Sequence, residues 1–318
     1  MARKPRLSVP GAVTHVMGRS VPRTDLFLDD RDRNAMVQLL KRYIRETGCR
    51  CYAWALMRNH YHLLLRTGEL ELWRTMKPLN MRYAQYHAKR YGRRGPLFGD
   101  RYKSIVTQDQ NYVQELVRYV HLNPLRAGVC RSLRALDSYR WTGHSVLMGR
   151  QPNLFQDTRA VLARFGSRAA GARQAYRDFL QDGLSSGEET ACEQAVRSSN
   201  RGRERGRSAQ RWVIGDPEFV AKVMSDAEAR RLRVSRLERE GRDLAWPAAK
   251  VCRGMKISPH ELAVRQRGGP ISDARQEFCF VCTREYGVRA TDVAAYLGIS
   301  PGAVSNLVRK RISRGETK

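Results

Sequence analysis

A predicted β-hairpin over residues 51–66 limits what this chain can fold into more than any other stretch. Its first arm, 51–56, is an apolar run with aromatic side chains, and its second arm, 60–65, ends in three leucines. Arg58 and Asn59 lie between the arms, where two apolar runs separated by two polar residues are typical of a hairpin. The pattern therefore predicts two antiparallel strands joined by a tight turn.

Two histidines lie on the second arm of this hairpin. Side chains alternate across a strand, so His60 and His62 point to one face and Tyr61 points to the other. Two imidazoles on one rigid strand can share a single cation. The same pair also occurs as ordinary polar residues of a half-buried strand, and the spacing alone does not separate these two interpretations.

The elements around the hairpin predict an α+β fold. In chain order they are a strand at 11–21, a helix between Asp30 and Gly48, the hairpin strands, a helix at 69–91, a basic strand at 101–106 and a helix at 112–122. Asp109 or Asn111 is the expected cap of the last helix. The first six elements of this β-α-β-β-α-β-α order match the ferredoxin-like plan, a four-stranded antiparallel sheet with helices on one face.

The charge of the chain indicates a polyanionic partner. It has 59 Lys and Arg against 31 Asp and Glu, a net charge of +28, and a pI near 10.6. Nucleic acid is the default partner for such a surplus. We expect no membrane span and no secretory signal. Seven scattered cysteines, with one lone CxxC at Cys279 and Cys282, favour a reducing compartment, the bacterial cytoplasm, with association to the nucleoid.

Four regions follow one another along the chain. We predict a first domain over 1–150, a helical extension over 151–182, a flexible basic linker over 183–210 and a helical DNA-binding region over 211–318.

The C-terminal region contains a predicted helix-turn-helix at about 274–312. A short helix ends at Gly298, and a second helix starts after a Ser-Pro pair and finishes in basic residues, the pattern of a helix-turn-helix. This arrangement would place Ser300, Ser305 and Arg309 against DNA, whereas a plain helical bundle is the alternative.

Three separated motifs occur in the order of a known family. They are His60-Tyr61-His62, then Gly95-Pro96-Leu97-Phe98 leading to Arg101-Tyr102-Lys103-Ser104, and Arg118-Tyr119-Val120-His121-Leu122-Asn123-Pro124-Leu125-Arg126-Ala127-Gly128. Over about residues 8–145 the chain resembles the single-tyrosine HUH transposases, most closely their REP-associated branch. The resemblance implies a ferredoxin-like domain that binds single-stranded DNA hairpins. It also implies cleavage and rejoining with Mg²⁺ or Mn²⁺ through a 5′-phosphotyrosine intermediate.

The resemblance also implies roles for individual residues. His60 and His62 become metal ligands, and Tyr112 becomes the nucleophile because it opens the helix before the Asn-Pro motif. A bound cation would polarise the phosphate while the tyrosine hydroxyl attacks it. Tyr119, seven residues on and roughly on the same side of the helix, is the rival nucleophile and is also a candidate core residue.

One position departs from the family pattern. Related transposases carry a glutamine four residues after the tyrosine, and counted from Tyr112 that position is Leu116, which cannot bind a metal. Glu115 lies on a neighbouring face of the helix and is the expected substitute as third ligand.

Other basic residues near the motifs are expected to contact DNA. Arg101 and Lys103, two apart on a strand, would point to one face and touch phosphates, and Arg58 in the hairpin turn would do the same. A non-catalytic hairpin-binding protein for DNA or RNA and a helix-turn-helix regulator remain alternatives to the enzyme. The chain is expected to act as a monomer or a homodimer.

Overall fold

The structure, a computed structural model, describes 7, 9, 11–68, 70–185, 193–196, 212–226, 228, 243–263, 268–286, 288 and 290–315. The chain divides into two compact units, 1–223 and 224–318.

The first unit is built on a five-stranded sheet. Its strands are β1 Val13–Arg19, β2 Arg50–Met57, β3 His60–Arg66, β4 Lys103–Thr107 and β5 Val213–Ile214. They lie in the order β2-β3-β1-β4-β5. The first four strands pair antiparallel, as the ferredoxin-like prediction requires, and β5 adds to the edge of β4 in parallel. The predicted fold class is therefore confirmed, with one added edge strand.

Seven helices with defined bounds cover this sheet in the described part of the first unit. They are α1 Asp30–Thr47, α2 Trp73–Tyr91, α3 Asp109–Arg126, α4 Leu133–Ser138, α5 Gly143–Leu147, α6 Thr158–Leu162 and α7 Ala169–Ser185. The Asp29 side chain caps α1 by accepting a bond from the Asp32 backbone N–H, and Gly48 ends the helix in the left-handed region, with φ 67°. Both ends agree with the sequence prediction, because Gly enters that region without strain.

Helix α3 is longer than predicted. It begins at Asp109, so neither Asp109 nor Asn111 is its cap, and it continues through Pro124 to Arg126. Pro124 lies in the last turn, where its ring does not stop the helix, and its carbonyl accepts bonds from the backbone N–H groups of Val129 and Cys130. The helix packs on β2, β3 and β1 at one face of the sheet.

The two faces of the sheet bury different cores. Tyr61, Leu63 and Leu65 pack with α1 and α2 on one face. Leu64 packs with α3 and the helices after it on the other face. Because β3 alternates, His60 and His62 share the face of Leu64 and lie toward α3.

The segment predicted as a linker is partly described. Gly183 to Ser185 complete α7. Glu193 and Val196 are buried, and the Glu193 carboxylate lies 2.8 Å from the Arg126 guanidinium. The rest of the predicted linker, 186–192 and 197–210, lies outside the described residues.

The second unit is helical. It contains α8 Ala245–Met255, a 3₁₀ turn Pro259–Ala263, α9 Gly269–Phe280, a π turn Val281–Glu285, α10 Ala290–Tyr296 and α11 Pro301–Gly315. Cys279 and Cys282 are buried in its core as free thiols. Gly298, with φ 62°, lies between α10 and α11. Across both units, the described helices include none that is long and apolar enough to cross a membrane.

Candidate active site

Three histidines meet on the α3 face of the sheet. The rings of His60 and His62 lie 5.0 Å apart between centroids. β1 contributes His15, whose Nε2 lies 2.9 Å from Nδ1 of His62. His15 and His62 are each only 2% exposed, whereas His60 is half-buried at the start of β3.

Hydrogen bonds orient the two β3 histidines. Nδ1 of His60 lies 2.7 Å from Oδ1 of Asn59, and because an amide oxygen can only accept, Nδ1 of His60 carries the proton. Nε2 of a neutral His60 therefore keeps its lone pair. In the His15–His62 pair one nitrogen donates and the other accepts. If Nδ1 of His62 donates, Nε2 of His62 is also an available ligand. Partners of this kind normally support metal-binding histidines.

Burial keeps these imidazoles neutral. It lowers the pKa of His15 to about 3. The pKa of His60 falls to about 4, through burial first and then through the positive charge of Arg19. The pKa of His62 is also well below its usual value, again mainly because of burial. Neutral imidazole is the form that binds metal ions, so these residues need not lose a proton near neutral pH.

Tyr119 of α3 packs against this cluster. Its ring lies edge-on to His15 and to His62, with 5.7 Å between ring centroids in each case. The guanidinium of Arg126 lies over the same ring at 5.8 Å. The structure thus brings Tyr119, a residue with an aromatic hydroxyl, into contact with His15 and His62. Tyr119 is the second candidate nucleophile named from the sequence.

Tyr112 lies elsewhere on the same helix. It is seven residues before Tyr119, about 10 Å along the helix axis. β4 ends at Thr107, opposite Val13, and α3 begins there, at the end of the sheet away from His62, which pairs with Met17. Tyr112 packs on the core at that end.

The expected third ligand is not assembled with the histidines. Both candidate positions lie on α3: the Leu116 side chain is fully buried in the core, and Glu115 is partly exposed. Among the residues that the structure describes, no group of three or more His, Cys, Asp and Glu is arranged to hold a metal ion. One turn beyond Tyr119, the Nδ2 group of Asn123 donates to the Tyr119 carbonyl at 2.6 Å, which leaves the amide oxygen of Asn123 for another partner.

Basic side chains surround the histidine end of the sheet. Arg19 pairs with His60 across β1 and β3 and is exposed. Lys103 begins β4 on the same face as Ile105, the α3 side. Arg101 precedes the strand, so it does not share a strand face with Lys103 as predicted. Arg58, in the hairpin turn, is exposed, and its Nε lies 2.7 Å from the Asp25 carboxylate.

The predicted contacts of the C-terminal unit lie on α11. The Ser300 hydroxyl accepts from the Ala303 backbone N–H at 3.2 Å and caps the helix, and the Ser305 hydroxyl donates to the Pro301 carbonyl at 3.0 Å. Arg309 is exposed. Nη1 of Arg309 donates to Oδ1 of Asn306 at 3.4 Å.

Comparison with known proteins places the first part of the chain. Residues 8–123 match the family model described as transposase IS200-like. Over these residues the chain is similar to the IS200-like transposases. The match agrees with the resemblance to single-tyrosine transposases that the motifs indicated. The IS200-like segment contains His15, His60, His62 and Tyr119, and it ends at Asn123.

Two further comparisons accompany this match. A solved structure, described as a REP-associated tyrosine transposase bound to a REP hairpin, is 13% identical in sequence and has a TM-score of 0.40, covering 48% of this chain and 89% of that chain. No curated protein matches the chain.

Sequence analysis missed three residues of the site. His15 and Arg19 lie two and six positions after Val13 on β1, so strict alternation from the buried Val13 would have placed both on the histidine face. Asn59 was assigned only to the turn. Nothing in the sequence links Asn59 to Nδ1 of His60, because that bond depends on a side-chain rotamer.

Proposed function

We propose that this protein is a transposase that cuts and rejoins single-stranded DNA through a covalent bond to Tyr119. The observation that carries the proposal is the packing of the Tyr119 ring against His62 and His15 inside the IS200-like segment. All these residues belong to one chain, so a single copy supplies them.

Assigning the nucleophile to Tyr119 instead of Tyr112 also accounts for the departure at Leu116. Counted from Tyr119, the fourth residue is Asn123, whose side-chain amide has the same chemistry as the glutamine expected there. Residues four apart lie on one helix face, so Asn123 is on the Tyr119 side of α3.

The proposed reaction balances without water as the nucleophile. The Tyr119 hydroxyl gives up its proton and its oxygen attacks the phosphorus of a phosphodiester. The bond from phosphorus to the 3′ oxygen breaks, and that oxygen leaves as a 3′-hydroxyl after taking up a proton. The 5′ phosphate stays on the tyrosine. Attack by a 3′-hydroxyl on this ester reverses the step and joins a strand.

His60 and His62 are the residues that would hold a divalent cation, with the Asn123 amide as the proposed third ligand. The donor set fits when Nδ1 of His62 donates to His15, because Nε2 of each β3 histidine then keeps its lone pair. Mg²⁺ or Mn²⁺ bound there would stabilise the charge that develops on the phosphate. Arg19 and Lys103 on the same face would hold the phosphates on either side.

The substrate we propose is a DNA strand folded into a hairpin. The net charge of +28 supports binding to a polyanion, and a hairpin is the substrate that the motif resemblance implies. The second unit, with α10 and α11 as a proposed helix-turn-helix and Arg309 exposed, would add affinity for DNA. Such binding weakens steeply with salt. We place this activity in the bacterial cytoplasm.

A gel experiment tests the assignment. The full chain is incubated with Mn²⁺ and a pool of labelled DNA hairpins that carry random single-stranded flanks, and covalent species are separated under denaturing conditions. We expect an adduct from the wild-type protein and from Tyr112→Phe, but none from Tyr119→Phe. Both substitutions keep the aromatic ring, so packing is matched.

Each of the other possible outcomes would assign a different function to this protein. Loss of the adduct only in Tyr112→Phe would return the nucleophile to Tyr112. Cleavage without an adduct would indicate a hydrolytic nuclease. Binding without cleavage would indicate a hairpin-binding protein or a regulator.

A further inference from the structure

An open cleft lies beside the histidine end of the sheet. It has a volume of about 440 Å³, and its walls come from the loop before α1, from α1 itself, from the β2–β3 turn and from the segment after α3. Arg58, which is expected to contact phosphate, is one of its lining residues.

Backbone hydrogen bonds connect one wall of the cleft to the turn that precedes His60. The Arg58 carbonyl accepts hydrogen bonds from the backbone N–H groups of Leu26 at 2.9 Å and Phe27 at 3.1 Å. His60 follows Arg58 by two residues, and two residues of chain span at most about 7 Å. A strand whose phosphate lies at His60 therefore has its next bases within reach of the cleft.

Apolar side chains line the rim of the cleft. Leu28 is 54% exposed and Val129 is 48% exposed, unusually high values for large apolar side chains on two different walls of one cleft. The aromatic ring of Tyr139 also lines it. Flat apolar and aromatic surfaces of this kind hold an unstacked base by its faces.

A polar group in the same walls matches the edge of a base. Oδ2 of the Asp25 carboxylate accepts a hydrogen bond from Nε of Arg58, and Oδ1 is its second acceptor oxygen. Among the described residues this second oxygen is an available acceptor, which suits a base that carries an amino group.

We propose that this cleft binds one nucleobase of the DNA strand, held between Leu28, Val129 and Tyr139. The proposal deepens the proposed function, since it assumes that DNA reaches the histidine pair. The Asp25 carboxylate accepts from the exocyclic amino group of adenine, cytosine or guanine, and thymine has no such group. The cleft would thus select the base beside the cleavage site.

Binding of short oligonucleotides tests the proposal. Fluorescein-labelled hexamers of dA, dC and dT are titrated with the full chain, and anisotropy is measured at 200 mM salt, where contacts to phosphate alone are weakened. Val129→Trp fills the cleft, and Met81→Trp is the matched control, because Met81 is 46% exposed on α2 and lies across the sheet. Asp25→Asn removes the negative charge of the carboxylate and keeps the size and shape of the side chain.

We expect Val129→Trp to weaken binding of dA and dC hexamers about tenfold, the size of one lost base stack, whereas Met81→Trp binds as the wild type does. Asp25→Asn should bring the three hexamers within twofold of one another. Equal binding by Val129→Trp and Met81→Trp would overturn the proposal, as would a wild-type preference that Asp25→Asn leaves unchanged. Thermal melting confirms that each variant is folded.

The adduct experiment separates this proposal from the proposed function. If Tyr119 forms an adduct and Val129→Trp still binds every hexamer normally, the cleft assignment fails while the transposase assignment stands. If no adduct forms but Val129→Trp loses hexamer binding, the reverse holds.

Discussion

Replacing Gly18 by alanine should displace the strand that carries the histidines. Gly18 lies opposite Tyr61 in the β1–β3 register. A Cβ atom at Gly18 would lie 2.5 Å from the Tyr61 hydroxyl and closer still to its ring, far inside ordinary contact distance. The Tyr61 ring is fully buried, and its hydroxyl donates to Asn80 at 2.6 Å. The ring therefore has to move, and β3 has to move with it.

The cost can be worked from these contacts. Overpacking a core typically costs about 1–3 kcal/mol. Losing the bond to Asn80 adds about 1 kcal/mol. We expect Gly18→Ala to lower the free energy of unfolding by about 3 kcal/mol, which lowers the melting temperature of a unit this large by about 6–12 °C. The adduct at Tyr119 should fall with it, because Tyr61 lies between His60 and His62.

Calorimetry of the first unit's transition measures the effect. Gly171→Ala is the matched control, because Gly171 lies in α7 with nothing near its missing Cβ. That change should stabilise the protein by about 0.5–1 kcal/mol. A Gly18→Ala protein that melts within 1 °C of the wild type, an interval well under the expected shift, would refute the reasoning about this contact.

Two further predictions concern buried polar groups. The Tyr176 hydroxyl lies 2.8 Å from Nδ1 of His121 and 3.0 Å from Nδ1 of His144. Tyr176→Phe should therefore lower the free energy of unfolding, measured by urea denaturation, by about 2 kcal/mol. A decrease below about 0.5 kcal/mol would contradict this prediction. Burial lowers the pKa of both His121 and His144. The unfolded chain therefore binds more protons below about pH 6.5, and stability should fall as the pH drops from 6.5 toward 5, by up to about 1.4 kcal/mol per pH unit for each histidine. Equal urea midpoints at pH 7.5 and pH 5 would contradict this.

Alternation along strands made most of the sheet predictable. The hairpin, its turn at Arg58 and Asn59, and the burial of Tyr61 opposite the histidines all follow from a period of two. The end of α1 was predictable from the glycine at position 48, because a helix commonly ends at a residue in the left-handed conformation that favours glycine. β5 was not predictable, because a strand of two residues has no period to detect.

The choice between the two tyrosines could not be made from sequence. Seven residues make almost two whole helical turns, so Tyr112 and Tyr119 occupy the same side of α3. Only the position of the helix along the sheet distinguishes them, and that position depends on where β4 ends and on how β1 pairs with β3. The resemblance pointed to α3, and the packing of Tyr119 against His15 and His62 is the reason for proposing that residue as the nucleophile.

The edge strand β5 sets an order of events during synthesis. Ile214 accepts a hydrogen bond from the Gln108 backbone N–H at 2.8 Å, and Asp216 accepts one from the Gln108 side chain at 2.6 Å, directly before α3 begins. The start of the tyrosine-bearing helix is thus held by residues made about one hundred positions later. Residues up to Asp216 must therefore have left the ribosome before these bonds can form, so a nascent chain that ends earlier lacks the hydrogen bonds that hold the start of α3.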